Sequence, residues 1–196
     1  KLGYIPGEIS FFDDMTGNDF LKFYSSYRNL KANSRMNELI NRFELDVRGK
    51  IKKMSKGTKQ KVGIVAAFMH DPEVLILDEP TSGLDPLMQN RFIELILEEK
   101  QKGKTILMSS HIFEEVERTC HRVCIIKEGR LVAVNSVDAL KASQAKKFTV
   151  TFQSEEAAAD FAAKWEKVAG ISRNQVTLIA QQNINDLIAL LHNYNV

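Results

Sequence analysis

The segment that most constrains the fold is Val74-Leu75-Ile76-Leu77, an unbroken apolar run of strand length that stops at Asp78-Glu79-Pro80. Such runs suit a parallel strand buried on both faces, and parallel strands need crossover connections between them. The downstream sequence provides those connections. Asp85 followed by Pro86 marks a helix start, with the helix expected over 86–101, and Thr105–Ser109 is a second strand. Phe113–Thr119 is expected as a short helix and 123–126 as a third strand, which Glu128-Gly129 turns into a hairpin with 131–134. Strands separated by helices define an α/β chain with a largely parallel sheet.

Upstream, Thr16 can cap a helix whose apolar residues Phe20, Phe23, Tyr24 and Tyr27 fall at helical spacing. Ser34 can cap a second, with Met36, Leu39, Ile40 and Phe43 inward. Residues 50–61 form a lysine-rich, glycine-containing turn that leads into a helix carrying Val62, Val65, Phe68 and Met69, closed by Asp71-Pro72. After residue 142 the character changes. A strand at 147–152, a helix at 155–168, a strand at 176–180 and a helix at 184–191 make a β-α-β-α tail, expected to be too small for much core and to pack as an appendage.

Two adjacent carboxylates at the C-terminal end of a parallel strand lie where ligands of such sheets bind. Successive side chains point to opposite sides of a strand, so the two carry different roles. An Asp here can hold Mg²⁺ through water while a following Glu orients or deprotonates an attacking water; the alternative is that both only cap the loop. The next strand ends in Ser109-Ser110-His111, and parallel topology can bring that imidazole beside the first strand end, within reach of a phosphate or of the attacking water.

The formal charge, 27 − 25 = +2, offers no electrostatic argument for nucleic acid or an anionic membrane surface. The apolar stretches fall short of the roughly 18–20 residues that span a bilayer. Two cysteines build no disulfide framework and point to a reducing compartment. Cys120, His121 and Cys124 offer three ligands astride a helix end and a strand, whereas a structural zinc site takes four. The lysines at 50, 52, 53, 56, 59 and 61 have no interleaved aromatics, so a solvated, phosphate-facing loop is preferred to a nucleic-acid surface. The first residues, Lys1-Leu2-Gly3-Tyr4-Ile5, start in mid-strand without a methionine, as expected of a piece of something longer.

In order and separation these residues resemble the second half of an ATP-binding-cassette ATPase. Val74–Asp78 corresponds to the Walker B strand, Glu79 to the catalytic glutamate, Ser82-Gly83-Leu84-Asp85 to the D-loop and His111 to the switch histidine. Met54-Ser55-Lys56-Gly57-Thr58 stands where the family has its Leu-Ser-Gly-Gly-Gln signature, so Lys56 replaces a glycine and Thr58 the glutamine. The resemblance covers about residues 1–140. It implies a P-loop NTPase-like ABC ATPase fold, incomplete at the N-terminus, over 1–141, with a small α+β tail over 142–196.

The resemblance also assigns roles. Glu79 and His111 would be catalytic, and Asp78 would hold Mg²⁺. Ser55, Lys56, Gly57, Thr58 and Asp85 would serve ATP held by an opposing subunit, the signature through free N–H groups at a helix N-terminus. The implied partners are a transmembrane permease subunit and a second ATPase subunit, with no nucleic acid. The implied place is the cytoplasmic face of the membrane, and the tail and signature look most like exporters of the multidrug class.

Two departures stand out. Leu2-Gly3-Tyr4-Ile5-Pro6-Gly7-Glu8 aligns with the family's Q-loop, but Gly7 occupies the glutamine position, leaving Glu8 as a substitute; Phe11 and Phe12 follow, either core or part of a permease-docking surface. No G-x-x-x-x-G-K-[ST] loop occurs, since Gly103-Lys104-Thr105 has Glu98 at the first glycine position and precedes a strand. The chain alone is therefore expected neither to bind ATP tightly nor to hydrolyse it. A truncated, non-catalytic cassette acting as an interaction module is the alternative, and a DNA-repair or translation ATPase lacks support from any coiled-coil insertion or basic tail.

Overall fold

The computed structural model describes residues 2–12, 14–30, 34–143, 146–180 and 184–195. They form two compact units, 1–120 and 121–196. The first contains β1 (Leu2–Ile5), α1 (Gly17–Tyr27), α2 (Ser34–Arg42), a 3₁₀ turn (Ile51–Lys53), α3 (Lys56–Phe68), β2 (Val74–Asp78), α4 (Pro86–Gln101), β3 (Thr105–Ser109) and α5 (Phe113–Thr119). β2 lies between β1 and β3 and is parallel to both, with Leu77 opposite Ile5 and Met108, and Asp78 opposite Ser109.

The parallel arrangement matches the sequence reading, but β2 is not buried on both faces. Ile5, Leu75 and Leu77 point into a core built by Val62, Val65, Phe68, Met88, Phe92 and Leu95. Alternation sends the neighbouring side chains to the other face, where Leu2 and Val74 are exposed, Tyr4 is 55% exposed and Leu107 66%. Parallel sheets are ordinarily covered on both sides, so this is an uncovered apolar surface.

Two helix starts refine the expectation. α3 begins at Lys56, at the helix N-terminus expected for the signature but earlier than the turn read over 50–61 would allow, because the Ser55 side chain accepts the Thr58 N–H at 3.1 Å and caps it. Ser34 is the first residue of α2 and not its cap. The buried stripe of α1 also differs: Leu21 with the small Gly17 and Ser25 faces inward, while Phe20 and Tyr24 are half-buried. Phe23 and Tyr27 are exposed, since small residues allow a closer approach than an aromatic stripe would.

The second unit opens with β4 (Arg122–Lys127) and β5 (Arg130–Ser136), an antiparallel hairpin turning at Glu128 and Gly129, both at positive φ, as its two-residue loop demands. After α6 (Val137–Ser143) come β6 (Lys146–Thr151), α7 (Glu155–Lys164), β7 (Val168–Ser172), β8 (Gln175–Ala180) and α8 (Ile184–Leu191). The expected tail lies within this unit, and its pattern is β-α-β-β-α. The helix expected to reach 168 stops at Lys164, because Trp165 turns to extended backbone and donates its indole N–H to the Ile179 carbonyl at 3.3 Å. The chain then returns as β7, giving an antiparallel sheet ordered β6-β8-β7. This part carries a core of its own, contrary to expectation. Phe152, Ala158, Phe161, Val176, Leu178 and Leu187 are buried together, with the Tyr194 ring edge-on to Phe152 and Phe161 at 5.7 and 5.5 Å.

Ion pairs tie α2 to α4 in the first unit. Arg35 reaches Glu99 at 2.6 Å, Arg42 reaches Glu98 at 2.7 Å, and Arg91 donates to the Arg42 carbonyl. The Glu99 side chain is 1% exposed and also accepts from Lys102 and Lys104, the latter shared with Asp71. Burial alone would push the Glu99 carboxyl up, but the hydrogen bonds from Lys102 and Lys104 together leave it below its ordinary value of 4.5. A depressed carboxyl contributes stability above its unfolded pKa and loses it as pH falls through the folded value. Removing one partner of such a buried pair costs about 3–5 kcal/mol. Glu99→Ala should therefore destabilise the chain by about 3 kcal/mol at pH 7 in urea denaturation, and the gap between wild type and variant should narrow as pH drops below 4.5.

Candidate functional site

Because β1, β2 and β3 are parallel and in register, their C-terminal ends lie at one edge of the sheet. Residues 6–8, 78–86 and 109–112 leave from that edge, as expected for a strand-end site. There the structure brings Asp78, Glu79 and His111 together. Glu79 Oε2 lies 2.6 Å from His111 Nδ1, with Glu79 half-buried and His111 exposed. Glu79 sits at φ 47°, the left-handed region that L residues avoid, and in this conformation its carboxylate reaches His111.

Ser109 holds this arrangement from the neighbouring strand. Its hydroxyl donates to Asp78 Oδ1 at 2.5 Å, and its oxygen accepts the Glu79 N–H at 3.0 Å. Ser110 works in the other direction, donating to Glu115 at 2.8 Å and accepting the Ile112 N–H. A second brace comes from α3, where the buried Gln60 side chain donates to the Pro80 carbonyl at 2.8 Å. Neither Ser109 nor Gln60 was singled out by sequence reading, since interstrand register and helix docking leave no local signal.

Gly7 passes directly over the carboxylate. A Cβ built on it would lie 2.9 Å from Asp78 Oδ2, so the absence of a side chain is what lets the loop approach. Glu8 follows on the rim of an open cavity of about 470 Å³, also lined by Ile9, Met54, Lys56, Lys59 and Gln60. Phe11 packs edge-on against Phe20 at 5.1 Å, whereas Phe12 is exposed and packs on Phe23 at 5.7 Å.

The second group, Ser55, Lys56, Gly57 and Thr58, forms the first turn of α3 with its cap. Ser55 and Thr58 engage each other, their hydroxyl oxygens 2.9 Å apart. Gly57 is pressed onto the loop after β2, where an added Cβ would meet the Gly83 carbonyl oxygen at 2.5 Å. Gly83 itself is at φ 79°, beneath the Lys56 methylenes. Asp85 caps α4 by accepting the Met88 N–H at 3.0 Å, as the Asp-Pro start implied. The loop from Glu79 to Asp85 thus joins both groups, and Gln60 fastens it to α3.

Comparison with known proteins gives this geometry a lineage. Residues 19–117 match the family model described as an AAA domain, putative AbiEii toxin, type IV TA system. An uncharacterized ABC transporter ATP-binding protein of Nostoc sp. is 38% identical over 151 residues, 74% of this chain and 45% of that protein. The Nod factor export ATP-binding protein I of Paraburkholderia xenovorans is 34% identical over 149 residues, 74% of this chain and 49% of that protein. A solved ATP-binding subunit of an ABC transporter superimposes with a TM-score of 0.64 at 33% identity, covering 71% of this chain and 60% of that one. The fold is therefore that of the P-loop NTPases. The chain belongs to the AAA-domain family of that model and to the family of ABC transporter ATP-binding proteins. It spans about half the length of these curated relatives.

The contact between Gly57 and Gly83 makes a counter-intuitive prediction. Replacing a helical glycine by alanine ordinarily stabilises by about 1 kcal/mol. Here the methyl group overlaps a backbone oxygen, and overpacking of this kind costs about 1–3 kcal/mol. Gly57→Ala should lower the thermal midpoint of the chain, measured by circular dichroism.

Proposed function

We propose that this chain is the signature-bearing part of an ATP-binding subunit that powers solute export across a membrane, with residues 1–141 serving the cassette and 142–196 an accessory tail. The observation that carries the reading is the convergence of Asp78, Glu79 and His111 at the ends of parallel strands. The name of the Paraburkholderia xenovorans relative, a Nod factor export protein, supports the direction.

In this reading Glu79 accepts a proton from, or orients, the water that attacks ATP, and the His111 contact fixes its carboxylate. Asp78 suits a hydrated Mg²⁺, a hard cation that takes one or two carboxylates and otherwise water and phosphate oxygens. Asp78 is exposed and faces a glycine, and among the described residues no cluster of three or more His, Cys, Asp and Glu is placed to hold a metal by itself. The ion would neutralise charge on the transferred phosphoryl group. Ser55, Lys56, Gly57 and Thr58 present a helix N-terminus and an ammonium to ATP held by a second ATPase subunit, with Asp85 near the same seam.

The uncovered sheet face around Tyr4 and Leu107 supports a further layer, which we assign to a segment carrying the phosphate-binding loop. The exposed Phe12, Phe23 and Tyr27 suit docking on a transmembrane permease subunit, which would place the chain at the cytoplasmic face of the membrane. No helix among the described residues is long and apolar enough to cross a membrane. Gly7, lacking the family's glutamine, favours a second reading, a non-catalytic cassette that acts as an interaction module.

Joined to a phosphate-loop segment, the cassette should hydrolyse ATP in a coupled-enzyme assay, and Glu79→Gln should lower kcat by about 10²–10⁴-fold, the usual contribution of a positioned base. The 196-residue chain alone should show no steady turnover. Turnover by the pure chain, abolished by Glu79→Gln, would contradict the need for the second segment. Unchanged turnover in the joined Glu79→Gln cassette would remove Glu79 from the chemistry.

A further inference from the structure

The two carboxylates of the site are adjacent in sequence and must act apart, but β2 ends at Asp78, so the strand by itself does not fix the turn that carries Glu79. A group that holds both comes from β3. Ser109 stands opposite Asp78 in the parallel register, and its one hydroxyl is used twice, as donor to Asp78 Oδ1 and as acceptor from the Glu79 N–H. An O–H donates one proton and retains lone pairs, so both bonds form at once.

Each bond fixes a different degree of freedom. The bond to Oδ1 selects one orientation of the Asp78 carboxylate and leaves Oδ2 on the side of Gly7, where no side chain competes for it. The bond from the Glu79 N–H anchors the peptide that enters the left-handed turn, the conformation that carries the Glu79 side chain to His111. A residue at φ 47° persists only where its surroundings over-determine it. The Ser82 N–H bond to the Glu79 carbonyl at 3.0 Å and the Gln60 clamp on the Pro80 carbonyl hold the following peptides; Ser109 holds the preceding one.

We propose that Ser109 is a positioning residue for ATP hydrolysis, its single hydroxyl setting the orientation of Asp78 and the backbone turn of Glu79 together. The proposal rests on the functional reading above for the word hydrolysis, and on the geometry alone for the positioning. Ser109 does not touch the reacting atoms. It acts through Asp78 and Glu79, so its loss should slow the chemical step far more than it weakens ATP binding. Threonine keeps the hydroxyl and suits a strand, whereas alanine removes it.

The test has two arms. In the 196-residue chain, amide hydrogen exchange at Glu79, followed by NMR, should be at least about tenfold faster in Ser109→Ala than in wild type, and restored in Ser109→Thr, because the amide has lost its acceptor. In the joined cassette, Ser109→Ala should lower kcat for ATP about tenfold with KM changed less than about twofold, and Ser109→Thr should recover most of the rate. Unchanged exchange at Glu79 in Ser109→Ala would overturn the proposal, as would accelerated exchange with unchanged kcat, or a loss in which KM rises as much as kcat falls. A wild-type cassette without ATPase activity would overturn both the functional reading and the hydrolytic role given to Ser109. The exchange arm would still decide whether the hydroxyl sets the turn.

Discussion

The parallel register of β1, β2 and β3 is the constraint on which the rest of the first unit depends. Parallel strands place their C-terminal ends at one edge, and pairing of Ile5 with Leu77 and of Asp78 with Ser109 sets them at matching levels. A slip of one residue would turn Asp78 and Leu77 to each other's faces, placing a carboxylate in the core. The apolar inner face of β2 therefore fixes the register, and the register sets the carboxylate against the hydroxyl of β3.

From that edge the arrangement extends through one loop. Glu79 starts it in a strained conformation, Gln60 grips it at Pro80, Gly57 packs on it at Gly83 and Asp85 ends it by capping α4. The carboxylate pair and the first turn of α3 are thus parts of one continuous packing. Behind the loop, buried Glu99 and its cations hold α4 against α2. Around Tyr4 and Leu107 the sheet departs from the usual two-sided covering.

Much of this was legible in the sequence. The apolar run at Val74, the Asp-Pro start of α4 and the strand ending before His111 are local signals, and each element lies where those signals put it. The order of motifs sufficed for the family. What could not be read was set at long range. Periodicity offers α1 two apolar stripes, and only packing selects Leu21 with Gly17 and Ser25 over Phe23 and Tyr27. β7 was hidden because Trp165 and Val168 continue a helical pattern until tertiary contacts of the indole end it. Ser109 is an ordinary serine until the register of β3 against β2 is known, and Gly57 shows no special demand until Gly83 lies against it.

The central claim is that the strand-end carboxylates and the first turn of α3 serve ATP from opposite sides, in two different subunits. A structure of the joined cassette carrying Glu79→Gln, crystallised with ATP and Mg²⁺, tests it most directly. The account predicts a dimer in which each γ-phosphate lies within hydrogen-bonding distance of His111 of one protomer and of Ser55 of the other. A γ-phosphate bound away from His111, or a dimer in which Ser55 faces solvent, would contradict it.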